Sequence, residues 1–275
     1  MSASILWSLA PQGSNEWLSA RRGVITASRA KDARDFKAPT KKQADAGITR
    51  GEPTAKRTGY AMDLARERVG GKSADVFQNA AMRLGSEQEA VARQAYEDRT
   101  GFMVEEVGFA FTEDGRYGVS VDGFILRPND GGRRRVWECK TMVSSDTLFT
   151  AVIDGDISAY RDQCLFAMWM LTAEAVELYL HVWDIPELSR VIVIERNEAE
   201  IQALEDDLID FEREVSGYES KLLKAMGYEL PKDAQPATTP AAPTGDIAIG
   251  NPPWGVAAPA STPNNAPAEL ADANF

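Results

Sequence analysis

One histidine and two cysteines in 275 residues set the first limits on what this chain can do. A zinc centre built on several imidazoles needs more histidine than His181 alone supplies and is excluded, and a Ser/His triad would have to be built on His181 itself and is not expected. His181 sits in an apolar stretch over residues 176–183 and reads as a structural residue. Cys139 and Cys164 lack metal-ligand spacing, and so low a cysteine content suits a reducing cytoplasm. Long apolar runs are missing as well. The longest, residues 164–171, falls far short of the roughly 20 residues a spanning helix needs. The N-terminus has no basic segment ahead of an apolar one, so a secretory signal is not expected. The expected location is therefore the cytoplasm, with no membrane partner.

Proline is sparse until residue 231, after which nine of the fourteen prolines fall among Ala, Thr and Asn. That composition cannot bury a core, so residues 231–275 are expected to be a disordered, passive tail. Residues 1–230 are expected to form one domain with a substantial core.

The net charge of −12 argues at first against a polyanionic partner, but its distribution is uneven. Residues 21–57 hold eleven Lys and Arg against four Asp and Glu, and Arg133, Arg134 and Arg135 form a second basic cluster. Ten acids fall within residues 195–219. Such asymmetry is compatible with a positive channel for a polyanion inside an acidic exterior.

Periodicity and punctuation predict helices over 14–21, 58–69, 79–100, 144–153, 158–172 and 197–226, and a brief strand at 23–28 leading into a further helix. Strands are predicted over 102–112, 117–127, 134–140, 176–183 and 190–195, with a mobile loop over 36–56. This order is an α/β domain: helices, a β-meander, helices, two strands and a last helix.

Chemistry concentrates in two of the strands. Ser120-Val121-Asp122-Gly123 is followed by Trp137-Glu138-Cys139-Lys140, with sixteen residues from Asp122 to Glu138. Alternation places Ser120 with Asp122 on one face, and Val136 with Glu138 and Lys140 on one face. A solvated surface salt bridge is the plain alternative, but Val121, Phe124, Trp137 and Cys139 are flanks expected of buried strands. Two buried carboxylates and one ammonium are costly unpaired, and hard oxygen donors suit Mg²⁺ or Mn²⁺. The preceding helix carries Met82, Gly85, Glu89, Ala92 and Tyr96 on one face, Glu89 being the one charge in that row. Glu89 is either a hydrogen-bonded structural acid or a further member of the cluster. Tyr160, Gln163 and Ala167 share a face of the later helix, where the Gln163 amide can both donate and accept.

Taken in order across residues 15–200, these motifs resemble the lambda exonuclease, or YqaJ-like viral recombinase, branch of the PD-(D/E)XK nucleases. Trp17 with Arg21-Arg22-Gly23-Val24-Ile25-Thr26-Ala27-Ser28 resembles its opening motif, and Leu84-Gly85 through Glu89 to Thr100-Gly101 its acidic helix. Ser120-Val121-Asp122-Gly123 with Glu138-Cys139-Lys140 resembles its active site. Ser158-Ala159-Tyr160-Arg161-Asp162-Gln163 and Val193-Ile194-Glu195-Arg196 extend the likeness. The resemblance implies a PD-(D/E)XK nuclease core, a central mixed β-sheet flanked by helices.

It implies Asp122, Glu138 and the Cys139 carbonyl as metal ligands, with Glu89 serving a second ion. It implies Lys140 as the group that positions water and stabilises charge, with Gln163 ordering the site. Arg21, Ser28 and Ser120 match positions that hold a 5′-phosphate, and Met82 one that wedges between the strands at a duplex end. The activity implied is Mg²⁺-dependent 5′-to-3′ digestion of double-stranded DNA ends to mononucleotides, leaving 3′ overhangs for recombination. A ring-shaped homotrimer and a single-strand annealing protein as partner are implied with it. A structure-specific or restriction-type endonuclease on the same core is the runner-up, and a silent DNA-binding scaffold comes third. Two departures stand out. Asp146 occupies the position of a phosphate-binding arginine, with Arg161 or Arg133 as candidate substitutes, and Glu113 or Asp114 is offset by one residue from an acid ahead of the Ser-x-Asp strand.

Overall fold

A computed structural model of the chain describes residues 5–73, 80–127 and 134–228. β1 (Ile5–Ser8) is followed by α1 (Asn15–Ala20), whose N-cap Ser14 accepts the Trp17 backbone N–H. After β2 (Ile25–Thr26) a 3₁₀ turn (Ala27–Arg29) feeds α2 (Ala30–Ala33). α3 (Lys41–Asp45), α4 (Ala55–Arg68) and α5 (Ala80–Thr100) come next, and α5 stops at Gly101, whose φ of +72° costs glycine no Cβ clash. Then come β3 (Met103–Glu105), β4 (Phe109–Thr112), β5 (Tyr117–Ser120), β6 (Gly123–Leu126) and β7 (Arg135–Thr141). α6 (Ser145–Thr147) runs on into a π-helical segment (Leu148–Ile153), and α7 (Ser158–Leu171), β8 (Ala175–His181), β9 (Arg190–Glu195) and α8 (Glu198–Ala225) complete the described chain. No described helix is long and apolar enough to cross a membrane. The boundary at 230, the tail and Arg133 lie outside the described residues.

The strands form two mixed sheets rather than the single meander the sequence suggests. One has the order β1-β4-β5-β2 and the other β3-β6-β7-β8-β9. The stretches 102–112 and 117–127, each expected as one strand, both break and pass from one sheet to the other. The second break falls at Val121-Asp122, and close approach of β3 explains why glycine follows it. A Cβ on Gly123 would lie 2.3 Å from the Val104 side chain and 2.9 Å from the Glu105 carbonyl oxygen. Ser120 and Asp122 therefore do not share the face of one strand; they end up on opposite sides of a crossing.

β8 is buried along its whole length, parallel to β7 and antiparallel to β9. Its alternate residues serve two layers. Val176, Leu178 and Leu180 join the main core with Val136, Phe166 and Leu204. Tyr179 joins Trp137, Tyr96 and Ala92 in a second cluster under α5. His181 is 3 % exposed and burial lowers its pKa, so it is a neutral core residue, as its surroundings predict.

The segment expected as a mobile loop over 36–56 holds more structure than its composition suggests. Thr40 and Gln43 make a capping box for α3, and Arg50 forms an ion pair with Asp207 of α8. This pairing is general. Asp207 also takes Arg34 at 2.7 Å, Glu214 takes Arg57 at 3.1 Å, and Glu212 accepts two bonds from Arg68 at 2.7 Å each and a further one from Arg116. Acids of the 195–219 run thus neutralise part of the N-terminal basic excess inside the fold. Glu212 is buried between two guanidiniums, so Glu212→Ala removes the nearest carboxylate from both and leaves Arg68 with Glu219 at 3.7 Å and Arg116 with Asp114 at 3.6 Å; the expected cost is about 3 kcal/mol, a drop in Tm on the order of 10 °C. Thermal unfolding checks this, and a shift below about 2 °C would show that water replaces the carboxylate.

Candidate active site

Where β6 and β7 part, the ladder is completed by a side chain. The two strands pair only at Gly123 with Trp137 and Phe124 with Val136, so the next amide of β7 needs another acceptor. The Cys139 N–H donates to Asp122 Oδ2 at 2.7 Å. Glu138 points to the opposite side of β7 from Trp137 and is 2 % exposed. Lys140 Nζ donates to Glu138 Oε1 at 2.8 Å, and Gln163 Nε2 of α7 donates to the same oxygen at 2.5 Å. The structure thus brings Asp122, Glu138, Cys139, Lys140 and Gln163 to one end of the large sheet.

Burial raises the Glu138 pKa to about 7, and Asp122 pushes in the same direction against the pull of Lys140. Asp122 is raised as well, chiefly by burial, with Lys140 and the Cys139 amide opposing. Burial works against the Lys140 ammonium, but Glu138 and Asp122 more than offset it and its pKa is raised. Lys140 therefore stays charged at neutral pH. Glu89 belongs to this field: burial, then Asp122 and Glu106, raise its pKa to about 7. It is held along the α5 stripe by Ala92 and Tyr96, both fully buried. The Met82 side chain lies outside the described residues.

Burial raises all three carboxylates, Asp122 adds to the rise at Glu138 and Glu89, and Lys140 with Arg93 opposes it, which leaves an excess of negative charge at the site. Hard oxygen donors in that condition fit a hard divalent cation. Among the described residues no group of three His, Cys, Asp or Glu side chains stands ready to hold a metal ion. Asp122 is instead turned to an amide and Glu138 to Lys140 and Gln163. The fit therefore rests on charge and donor type, with water and phosphate oxygens left to complete a coordination shell.

A second cluster lies on the small sheet. Arg21 Nη1 donates to Ser120 Oγ at 3.3 Å and Nη2 to Ser28 Oγ at 3.4 Å. Its guanidinium lies 4.2 Å from the Trp17 ring centroid and 5.3 Å from that of Phe109. No carboxylate among the described residues pairs with it. Burial lowers its pKa to about 10, which still leaves it cationic at neutral pH. Asp146 is exposed in the first turn of α6 and makes no contact with this cluster. Arg161, weighed as a substitute, is paired with Glu200 at 2.6 Å. Asp114 accepts from the Thr112 hydroxyl and the Arg116 N–H within the β4–β5 turn, so it serves the turn rather than the acidic site.

Two residues stand closer to the site than the sequence alone suggests. Trp17 Nε1 donates to Ser120 Oγ at 3.1 Å; its placement four residues before Arg21 on α1 was the available signal. Glu177, an acid inside an apolar strand, accepts from the Tyr96 hydroxyl at 2.7 Å and pairs with Arg127. It pins the helix that carries Glu89 to the sheet.

With this geometry in hand, the chain can be set beside known proteins. No curated protein sequence matches it. An alkaline exonuclease (LHK-Exo) from Laribacter hongkongensis is similar at 25% identity and a TM-score of 0.62, over 78% of this chain and 98% of that one. The structure of LHK-Exo in complex with dAMP gives 26%, 0.63 and the same coverage. A phage-related exonuclease from Haemophilus somnus 129PT, at 16% identity and a TM-score of 0.51 over 74% of this chain and 96% of that one, shares the fold. The sequence model of the YqaJ-like viral recombinase domain matches residues 16–174, a span that takes in Trp17, Arg21, Glu89, Asp122, Glu138, Lys140 and Gln163, and the chain belongs to that family.

Proposed function

We propose that this chain is a divalent-metal-dependent exonuclease that digests double-stranded DNA from 5′ ends, releases mononucleotides and leaves 3′ single-stranded overhangs for recombination by annealing. The family and the alkaline exonuclease neighbours support a nuclease of phage-type recombination. The finer reading rests on one juxtaposition. Ser120 belongs to the Arg21 cluster and Asp122, two residues on, to the acidic one. Consecutive Cα atoms are about 3.8 Å apart, so Ser120 and Asp122 lie within roughly 7–8 Å of each other, and a terminal phosphate held by the first cluster would lay the next phosphodiester over the second.

In this reading Asp122 and Glu138 hold the cation with help from the Cys139 carbonyl, and Glu89 assists from α5. A bound Mg²⁺ or Mn²⁺ supplies Lewis-acid charge at the scissile phosphate and a nucleophilic water at neutral pH. Lys140, kept cationic by Glu138 and Asp122, positions the attacking water and stabilises charge growing on the phosphorus oxygens. Gln163 fixes the Glu138 carboxylate so that its other oxygen faces the ligand. The nuclease domain is residues 1–230, and the working assembly is a homotrimeric ring on DNA with a single-strand annealing protein as partner.

Digestion of linear duplex with and without a 5′-phosphate, and of a closed circle, tests the reading directly. Metal-dependent loss of the linear phosphorylated substrate with the circle intact is expected. Cutting of the circle would replace it with an endonuclease. A pH series gives an independent check. Glu89 and Glu138 titrate near 7 without metal and must ionise to bind it, so at limiting Mg²⁺ activity should rise through about pH 7 and level off. More Mg²⁺ should move that limb to lower pH. A carboxylate whose pKa is higher in the folded than in the unfolded chain takes up protons on folding, so these two weaken the metal-free fold as pH climbs from about 4.5 to about 7. Mg²⁺ should then raise Tm more at about pH 8 than at about pH 5.5. A pH-independent gain would remove both acids from the metal site.

A further inference from the structure

Resting on that reading of the Arg21 cluster, we infer that Trp17 sets the preference for a phosphorylated 5′ end by forcing the Ser120 hydroxyl to act as a donor. A serine hydroxyl offers one proton and two lone pairs, whereas an indole N–H can only donate. Trp17 Nε1 takes one lone pair of Ser120 Oγ at 3.1 Å and Arg21 Nη1 takes the other at 3.3 Å. The acceptor capacity of Oγ is then filled, and with no acceptor for it among the described residues its hydrogen is left for a ligand. Ser28 is placed in a similar way, with Arg21 Nη2 at 3.4 Å and the Thr26 hydroxyl at 3.5 Å. The cluster therefore offers protons and a cation and few free lone pairs.

A terminal phosphate monoester meets that demand, carrying close to two negative charges and three acceptor oxygens. A terminal hydroxyl meets it less well, because it carries no charge and brings a proton to a cluster with few free lone pairs. Trp17 does a second thing with the same ring. It lies under the Arg21 guanidinium, and Phe109 flanks it, so the fork is held facing the two hydroxyls. The indole is itself fixed: its backbone N–H is capped by Ser14 and its ring packs against the cluster of Ala20, Val24 and Phe109. It is a positioning residue that acts through Ser120 and Arg21.

The test measures kcat/KM on 5′-phosphorylated and 5′-hydroxyl linear duplexes with Mg²⁺. Wild type is compared with Trp17→Phe, Ser120→Ala, the double variant and Arg21→Ala. Trp17→Phe keeps a ring under the guanidinium and loses the N–H, so the phosphate-to-hydroxyl ratio should fall about fivefold, equivalent to about 1 kcal/mol. Ser120→Ala should lower it by a similar factor, and the double variant by no more than Ser120→Ala alone, because both changes remove one device. An unchanged ratio in Trp17→Phe, or factors that multiply in the double variant, overturns the role of Trp17. If Trp17→Phe does not fold, Ser120→Ala decides alone, since an unchanged ratio there leaves no donor for Trp17 to orient. Arg21→Ala separates the two levels of the argument. A ratio compressed by Arg21→Ala but untouched by Trp17→Phe removes only Trp17, whereas a ratio that Arg21→Ala does not move removes the phosphate cluster itself.

Discussion

Lys140→Ala is expected to abolish hydrolysis while leaving the fold in place, and Glu138→Ala and Asp122→Ala are expected to do the same. The reasons differ. In the proposed site Glu138 and Asp122 are the acids that would hold the cation, so their loss should remove it. Lys140 answers charge that grows only as the phosphodiester breaks, an effect worth roughly 3 kcal/mol or more in a dry site, or more than about a hundredfold in rate. Its removal has a second consequence. Glu138 is buried and Lys140 is the one cation paired with it among the described residues, so without Lys140 its proton should bind more tightly still and metal affinity at neutral pH should fall. Single-turnover digestion across a Mg²⁺ series, with circular dichroism as the check on folding, separates the two effects. Added Mg²⁺ should restore binding to Lys140→Ala but not its rate. Near-normal turnover in any of the three variants would take that residue out of the mechanism.

Most of the candidate site could be read from the chain because it is local in sequence. Glu138 and Lys140 alternate on one strand, Glu89 recurs on a helical face with Ala92 and Tyr96, and Gln163 shares a face of α7 with Ala167. Short-range periodicity carries that information. What it does not carry is where a strand changes sheet. Residues 117–127 read as one strand because both halves are apolar and β-branched or aromatic, yet the crossing at Asp122 is what frees its carboxylate to cap the Cys139 amide. The charge pattern was misleading for a related reason. The basic run over 21–57 and the acidic run over 195–219 look like two surfaces, but Arg34, Arg50 and Arg57 reach Asp207 and Glu214 across more than 150 residues of sequence. Only the packing of α4 and α2 against α8 reveals that the two runs partly neutralise each other.

Arg21→Ala should have the largest effect on end selection. The guanidinium is buried beside two rings and two hydroxyls with no carboxylate to neutralise it among the described residues, so its charge is available to an incoming anion. A charge-assisted contact of this kind is worth about 2 kcal/mol, and the rate ratio between 5′-phosphorylated and 5′-hydroxyl duplexes should shrink roughly thirtyfold. Asp146 bears on the same question from the other side. An anion at the phosphate would repel it, and Asp146 is exposed at the start of α6, with no ion pair or hydrogen bond to Arg21 among the described residues. Asp146→Arg should therefore fold and turn over normally, since it replaces one exposed charge with another. Initial rates on the two substrates for wild type and both variants decide the matter. A collapse of activity in Asp146→Arg would show that an acid is needed there, and the pocket would then have to be drawn around position 146 rather than around Arg21, Ser28 and Ser120.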